Sequence, residues 1–187
     1  TIVTGNDNDE LDLTDVQIAG NVTIQAGNGD DVMALEQITA GSLAIDGSNG
    51  NDSLTLTDID VSGAVSISGG AGNDQVTAWA ITRLTNHAGS NVMVSLGSGN
   101  DTVTIGNLTA DRRLTIAGGS GNDTATLTSS TVGGNLALGL ESGNDVATLN
   151  SVQAGGDALL GLSSGNDSLE VIGLVAGDDI TLDTGNG

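Results

Sequence analysis

Residues 118–149 read GGSGNDTATLTSSTVGGNLALGLESGNDVATL, one full period of the chain and the start of the next. Counting from Asp123, the apolar residues Ala125 and Leu127 fall two and four positions on; the same offsets from Asp145 give Ala147 and Leu149. Leu136 and Leu138 stand nine and seven positions before Asp145. Apolar residues at every second position are the mark of a strand with one buried face. No 3.6-residue spacing runs through the stretch, so helices are excluded.

Working outward, a Gly-Asn-Asp tripeptide or a close variant ends at Asp9, Asp31, Asp52, Asp74, Asp101, Asp123, Asp145 and Asp167. The steps between these acids are 22, 21, 22, 27, 22, 22 and 22 residues. The pair two and four residues on recurs throughout, from Leu11/Leu13 to Leu169/Val171. A second pair lies seven and nine residues on, as in Ile38/Ala40 and Leu108/Ala110, with Ser130/Val132 and Ile81/Arg83 as its irregular members. A third precedes the next Asp by nine and seven residues, from Val22/Ile24 to Ile180/Leu182. Each period therefore holds three short strands and three corners, with about six side chains pointing inward, and only stacking on its neighbours buries them.

The expected fold is all-β: a single parallel β-solenoid, or β-helix, of about eight three-strand coils. A right-handed path is expected from the general preference of parallel crossovers, and a rise of about 4.8 Å per coil makes it roughly 38 Å long. Residues 1–187 read as one repeat domain with both ends inside a coil, a segment of a longer protein or the subunit of a stacking filament. The short and long steps map to one corner, between Ala40 and Leu43 and between Arg83 and Val92, where length changes leave the stacked strands undisturbed.

Composition narrows the function. Three basic residues (Arg83, Arg112, Arg113) face 24 acidic ones, for a net charge of −21. Neutralising nucleic-acid phosphates is excluded on that balance, and docking on anionic membranes is disfavoured. No apolar run is long enough to insert into a membrane as a helix. Trp79 is the one aromatic residue, and Cys, Pro, Phe and Tyr are absent, so the core is thin and aliphatic. Groove enzymes on β-helices, such as pectate lyases, work with Lys, Arg, His or aromatic residues that this chain almost lacks, and no enzymatic activity is expected.

The acids carry the remaining signal. Coils stacked about 4.8 Å apart set unit charges where they repel by roughly 1 kcal/mol in water and roughly 3–4 kcal/mol at an effective dielectric near 20. A hard dication held by carboxylates and turn carbonyls reverses that sign, and flexible oxygen-lined turns suit calcium better than magnesium. The eight acids from Asp9 to Asp167 are thus candidate calcium ligands, with the adjoining Asn as a turn or ladder residue. The alternative is a metal-free ladder, in which Asn and Asp act as turn formers and the Asp side chains accept hydrogen bonds from neighbouring turn amides.

Gly69-Gly70-Ala71-Gly72-Asn73-Asp74-Gln75-Val76-Thr77 and Gly118-Gly119-Ser120-Gly121-Asn122-Asp123-Thr124-Ala125-Thr126 resemble the calcium-binding Gly-Gly-x-Gly-x-Asp-x-apolar-x repeat of RTX exoproteins. That resemblance implies a parallel β-roll with calcium between coils, held by turn carbonyls and Asp carboxylates. It covers about nine of every 22 residues, with substitutions such as Glu141 and Ser163 for glycine, and here the motif occupies one edge only. The expected role is a calcium-stabilised structural region of a bacterial secreted or cell-surface protein, such as a stalk, adhesin shaft, surface layer or end-to-end filament. The alternative is ice binding through the outward Thr55, Thr77, Thr104, Thr126 and Thr148, a file interrupted by Asp12, Ala34 and Glu170. Trp79 is expected to cover the core, and His87 to be a solvated loop residue.

Overall fold

The computed structural model describes residues 1–82 and 91–186. Among them every named strand pairs in parallel with its equivalent one coil away, and the chain winds as a β-solenoid of about eight turns. Two large sheets face each other. A nine-stranded sheet runs from Ile2–Gly5 through Arg113–Ser120 to Ile180–Asp183, and an eight-stranded sheet from Glu10–Gln17 through Thr102–Gly106 to Ser168–Ile172. A third, four-stranded sheet of two-residue strands, from Thr109–Ala110 to Val175–Ala176, closes the triangle in the later coils. In the earlier coils the first and second expected strands are continuous, as in Ser53–Val61.

That join bends at one residue per coil. Asp15, Gln37, Asp58, Ala80, Asn107, Ser129 and Ser151 adopt left-handed φ values of 48–58°, and Gly173 follows at 66°. They lie six residues after each Asp of the tripeptide. Asp15, Asp58, Asn107 and Gly173 are types that enter this region readily, and Gln37, Ala80, Ser129 and Ser151 adopt it as well.

The three apolar pairs form the core. Leu56, Ile59, Leu114, Leu127, Leu149 and Leu160 are fully buried. In the first and last coils the equivalent positions are more exposed, Ile180 and Leu182 among them. Ser130, the polar exception, is buried but satisfied: its hydroxyl donates to the Thr128 carbonyl at 2.8 Å and accepts from the Leu108 amide at 3.2 Å.

The expected length changes sit where the ladder tolerates them. Pairing with the preceding coil passes from Gln17↔Thr39 to Asn21↔Ser42 across the short coil, one residue fewer on its side. On the far side of the long coil register resumes at Val65↔Val92, after Asp60↔Thr82. The insertion itself, with Arg83 and His87, lies outside the described residues.

One expectation about the core needs correction. The residue five before each Asp also points inward: Ala26, Leu96, Leu140 and Leu162 are buried core side chains, and Gly47, Gly69 and Gly118 occupy the same place in their coils. The inward set is therefore larger than three pairs per coil. It includes the acids themselves.

Candidate metal centre

Each coil ends its strand in the nine-stranded sheet with a turn that in most coils has a glycine four residues before the Asp and, in every coil after the first, where Asp7 stands, a glycine two before it. The second of these is needed on geometry. Gly121 has φ +126°, and a side chain there would place its Cβ 1.7 Å from the Gly99 carbonyl oxygen of the preceding coil. Only a residue without a Cβ lets the backbones approach so closely. Four before the Asp, the left-handed conformation persists even where glycine is replaced, at Ser48, Glu141 and Ser163.

This turn brings the acids into one file. Asp31, Asp52, Asp74, Asp101, Asp123 and Asp145 are 1–4% exposed, while Asp9 and Asp167 in the end coils are half-buried. One carboxylate oxygen of each acid after the first is used. Asp31 Oδ1 accepts the Asp9 amide at 2.7 Å, and the pattern repeats up the file to Asp167 Oδ1 accepting the Asp145 amide at 2.8 Å. The other oxygen is not used: Oδ2 of all eight acids is buried with no hydrogen-bond partner.

The residues just before them form a second, exposed ladder of opposite sense. Asn51 Oδ1 accepts from the Asn73 amide at 2.8 Å, Asn73 Oδ1 from Asn100, Asn100 Oδ1 from Asn122, and Asn122 Oδ1 from Asn144. The Asp reaches back to the coil before it, whereas the Asn receives from the coil after it. Two side chains per coil thus staple each junction from both directions, and the Asn has the ladder role expected of it.

The buried carboxylates are electrostatically unfavourable when charged. Burial pushes the carboxyls of Asp52, Asp101, Asp123 and Asp145 up, and that of Asp74 from 3.8 to about 6. The amide hydrogen bond from the neighbouring coil opposes the shift. Neighbouring acids add to it: Asp101 and Asp52 around Asp74, Asp101 and Glu141 around Asp123.

A file of buried carboxylate oxygens without donors fits an oxygen-seeking cation. Among the described residues no three acidic or His side chains converge on one point, so carboxylates alone would not make a shell. Main-chain carbonyls must supply the rest, and the structure places some beside Oδ2. A methyl built on Gly47 would lie 2.5 Å from Asp52 Oδ2 and 2.5 Å from the Gly69 carbonyl oxygen. Asp74 Oδ2 and the Leu96 carbonyl meet in the same way at Gly69, and Asp123 Oδ2 and the Leu140 carbonyl at Gly118. Hard oxygen ligands of this kind suit calcium.

The other singled-out residues lie away from this edge. Thr55, Thr77, Thr104, Thr126 and Thr148 pair directly with one another in register on the outer face of the eight-stranded sheet. The ring of Trp79 lies over Gly106, where an added Cβ would come within 2.1 Å of it, and the residue is 46% exposed. It covers backbone more than core.

A family model of the RTX calcium-binding nonapeptide repeat (4 copies) matches residues 19–36, 62–80 and 115–126. These stretches carry the turns that end at Asp31, Asp74 and Asp123. The match sets nonapeptide repeats of calcium-binding type within solenoid coils of about 22 residues. No curated protein and no solved structure matches the chain.

Proposed function

We propose that this chain, with RTX-type calcium-binding repeats along one edge of a β-solenoid, is a calcium-stabilised structural region of a secreted or cell-surface protein. The observation that carries the reading is the file of Asp Oδ2 atoms, buried and without partners in every coil. Asp9, Asp31, Asp52, Asp74, Asp101, Asp123, Asp145 and Asp167 supply the candidate carboxylates, and the turn carbonyls the neutral ligands. Bound calcium supplies positive charge between acids that otherwise repel. The protein's own contribution is to bury Oδ2 of each, and to fix the other oxygen of every acid after the first by an amide.

Such a region folds where calcium is plentiful and is weakened where it is scarce, since an ion that binds only the folded chain adds to its stability by mass action. That behaviour suits an extended, rigid element assembled outside the cell: a stalk, an adhesin shaft, a surface-layer element or a filament. Thermal unfolding followed by circular dichroism, with calcium and then with EGTA, tests it. A fall in midpoint of ten degrees or more on chelation, restored by calcium and not by magnesium, supports the reading. An unchanged midpoint overturns it.

A second reading rests on the in-register Thr file. Ice binding would appear as thermal hysteresis that is lost on changing Thr104 and Thr126 to bulkier residues.

A further inference from the structure

The eight acids share a motif, yet one position of the turn differs from coil to coil. Five residues before the Asp stand Thr4, Ala26, Gly47, Gly69, Leu96, Gly118, Leu140 and Leu162 in successive coils. The side of this residue that carries a Cβ faces the core. In the first coil a hydroxyl fills the place: Thr4 Oγ1 donates to the Ala26 carbonyl of the coil above at 2.6 Å. In the coils of Asp101, Asp145 and Asp167 a buried leucine fills it, and in that of Asp31 the Ala26 methyl.

In three coils no side chain stands there. At Gly47, Gly69 and Gly118 the acid's Oδ2 lies 2.5 Å from the missing Cβ, inside the volume a methyl would claim. The next coil's carbonyl oxygen comes to 2.5, 2.6 and 3.0 Å of the same point. This is the carbonyl position that takes the hydroxyl of Thr4 in the first coil. Here it shares that point with a carboxylate oxygen that is buried and has no donor. Two buried acceptors brought this close to one point repel unless a cation or a donor lies between them.

We propose that the residue five before each Asp decides which coils take the ion: Asp52, Asp74 and Asp123, with the Gly69, Leu96 and Leu140 carbonyls, hold calcium, and the Thr, Ala and Leu coils do not. The division is not one of glycine content. The turn of Asp31 has both Gly27 and Gly29 and is excluded by Ala26, whereas that of Asp52 has Ser48 in place of a glycine and is included. The inference rests on the calcium reading above but fixes its stoichiometry and its ligands.

Calcium titration of the whole metal-free chain by isothermal calorimetry tests it, with circular dichroism to verify that each variant is folded. Three ions per chain are expected. Gly47→Ala, Gly69→Ala and Gly118→Ala should each bind two, and the methyl of Ala26 in the native core shows that this solenoid accommodates such a group. Ala26→Gly opens the place beside Asp31 without adding bulk and should bind four. Gly139→Ala, whose Cβ would meet nothing nearer than 4.0 Å, should still bind three. Seven or eight equivalent sites, or a stoichiometry indifferent to Gly69→Ala and Ala26→Gly, would overturn the proposal while leaving calcium binding intact. No uptake at all would remove the calcium reading with it.

Discussion

A single carboxylate in this solenoid is held in two ways at once, by an amide on one oxygen and by nothing on the other. The consequence for pH runs opposite to the usual behaviour of an ion-paired acid. For Asp74 the folded-state value of about 6 lies above the ordinary 3.8. Its contribution to the metal-free fold is therefore fully present below 3.8 and is lost as pH rises through about 6. Asp52, Asp101, Asp123 and Asp145 shift in the same direction, for the same reason of burial. In EGTA the melting temperature is thus expected to rise as pH is lowered from 7 to 4.5; a fall over that range would mean that the acids are solvated. Calcium, which needs the deprotonated form, should bind more weakly over the same range. Asp74→Asn separates the two effects. Removing the buried charge should raise the melting temperature in chelator by several degrees, and the same change should shrink the gain on adding calcium.

At the scale of the strand and the turn, the energetics follow from stacking. Gly121→Ala drives a Cβ into the Gly99 carbonyl and should cost roughly 2–4 kcal/mol in urea unfolding. Ala80, held at φ 56°, is the reverse case. Ala80→Gly should be neutral or stabilising by up to about 1 kcal/mol, because the left-handed strain it relieves offsets glycine's entropic cost. The contrast shows what the sequence made legible. Strict alternation exposed the strands, and the near-constant 22-residue step exposed the coil. The left-handed corner was hidden because only Asp15, Asp58, Asn107 and Gly173 are types that favour it, while Gln37, Ala80, Ser129 and Ser151 are not. The seventh inward position was hidden because leucine, alanine and glycine alternate there, and a glycine does not read as core. The inward direction of the acids was within reach, since each Asp has the parity of the apolar residues two and four places on. A charged residue at a turn nonetheless invites an outward reading. What no spacing reveals is which Oδ2 meets a carbonyl, because that depends on the backbone of the coil above.

Over the whole molecule, a net charge of −21 on a stack of coils sets two electrostatic terms that salt tells apart. Surface acids repel through water and are screened by simple electrolyte, whereas the buried file is shielded from it. Raising sodium chloride in EGTA should recover only a minor part of the stability that millimolar calcium restores. Full recovery by sodium chloride would reduce calcium to a screening ion. Because each coil contacts only its neighbours, ions bound at Asp52, Asp74 and Asp123 would stiffen the middle of the solenoid and leave its first and last coils to open first. Hydrogen exchange in calcium should then protect the Leu56 and Leu127 amides more than those of Leu13 and Leu169. The most direct measurement is a crystal structure grown in calcium, with anomalous differences collected to locate the ions. Peaks in the interior, within calcium-ligand distance of Oδ2 of Asp52, Asp74 and Asp123, are the predicted result. A map without a peak beside any of the eight acids, from crystals holding the same coils, would contradict it.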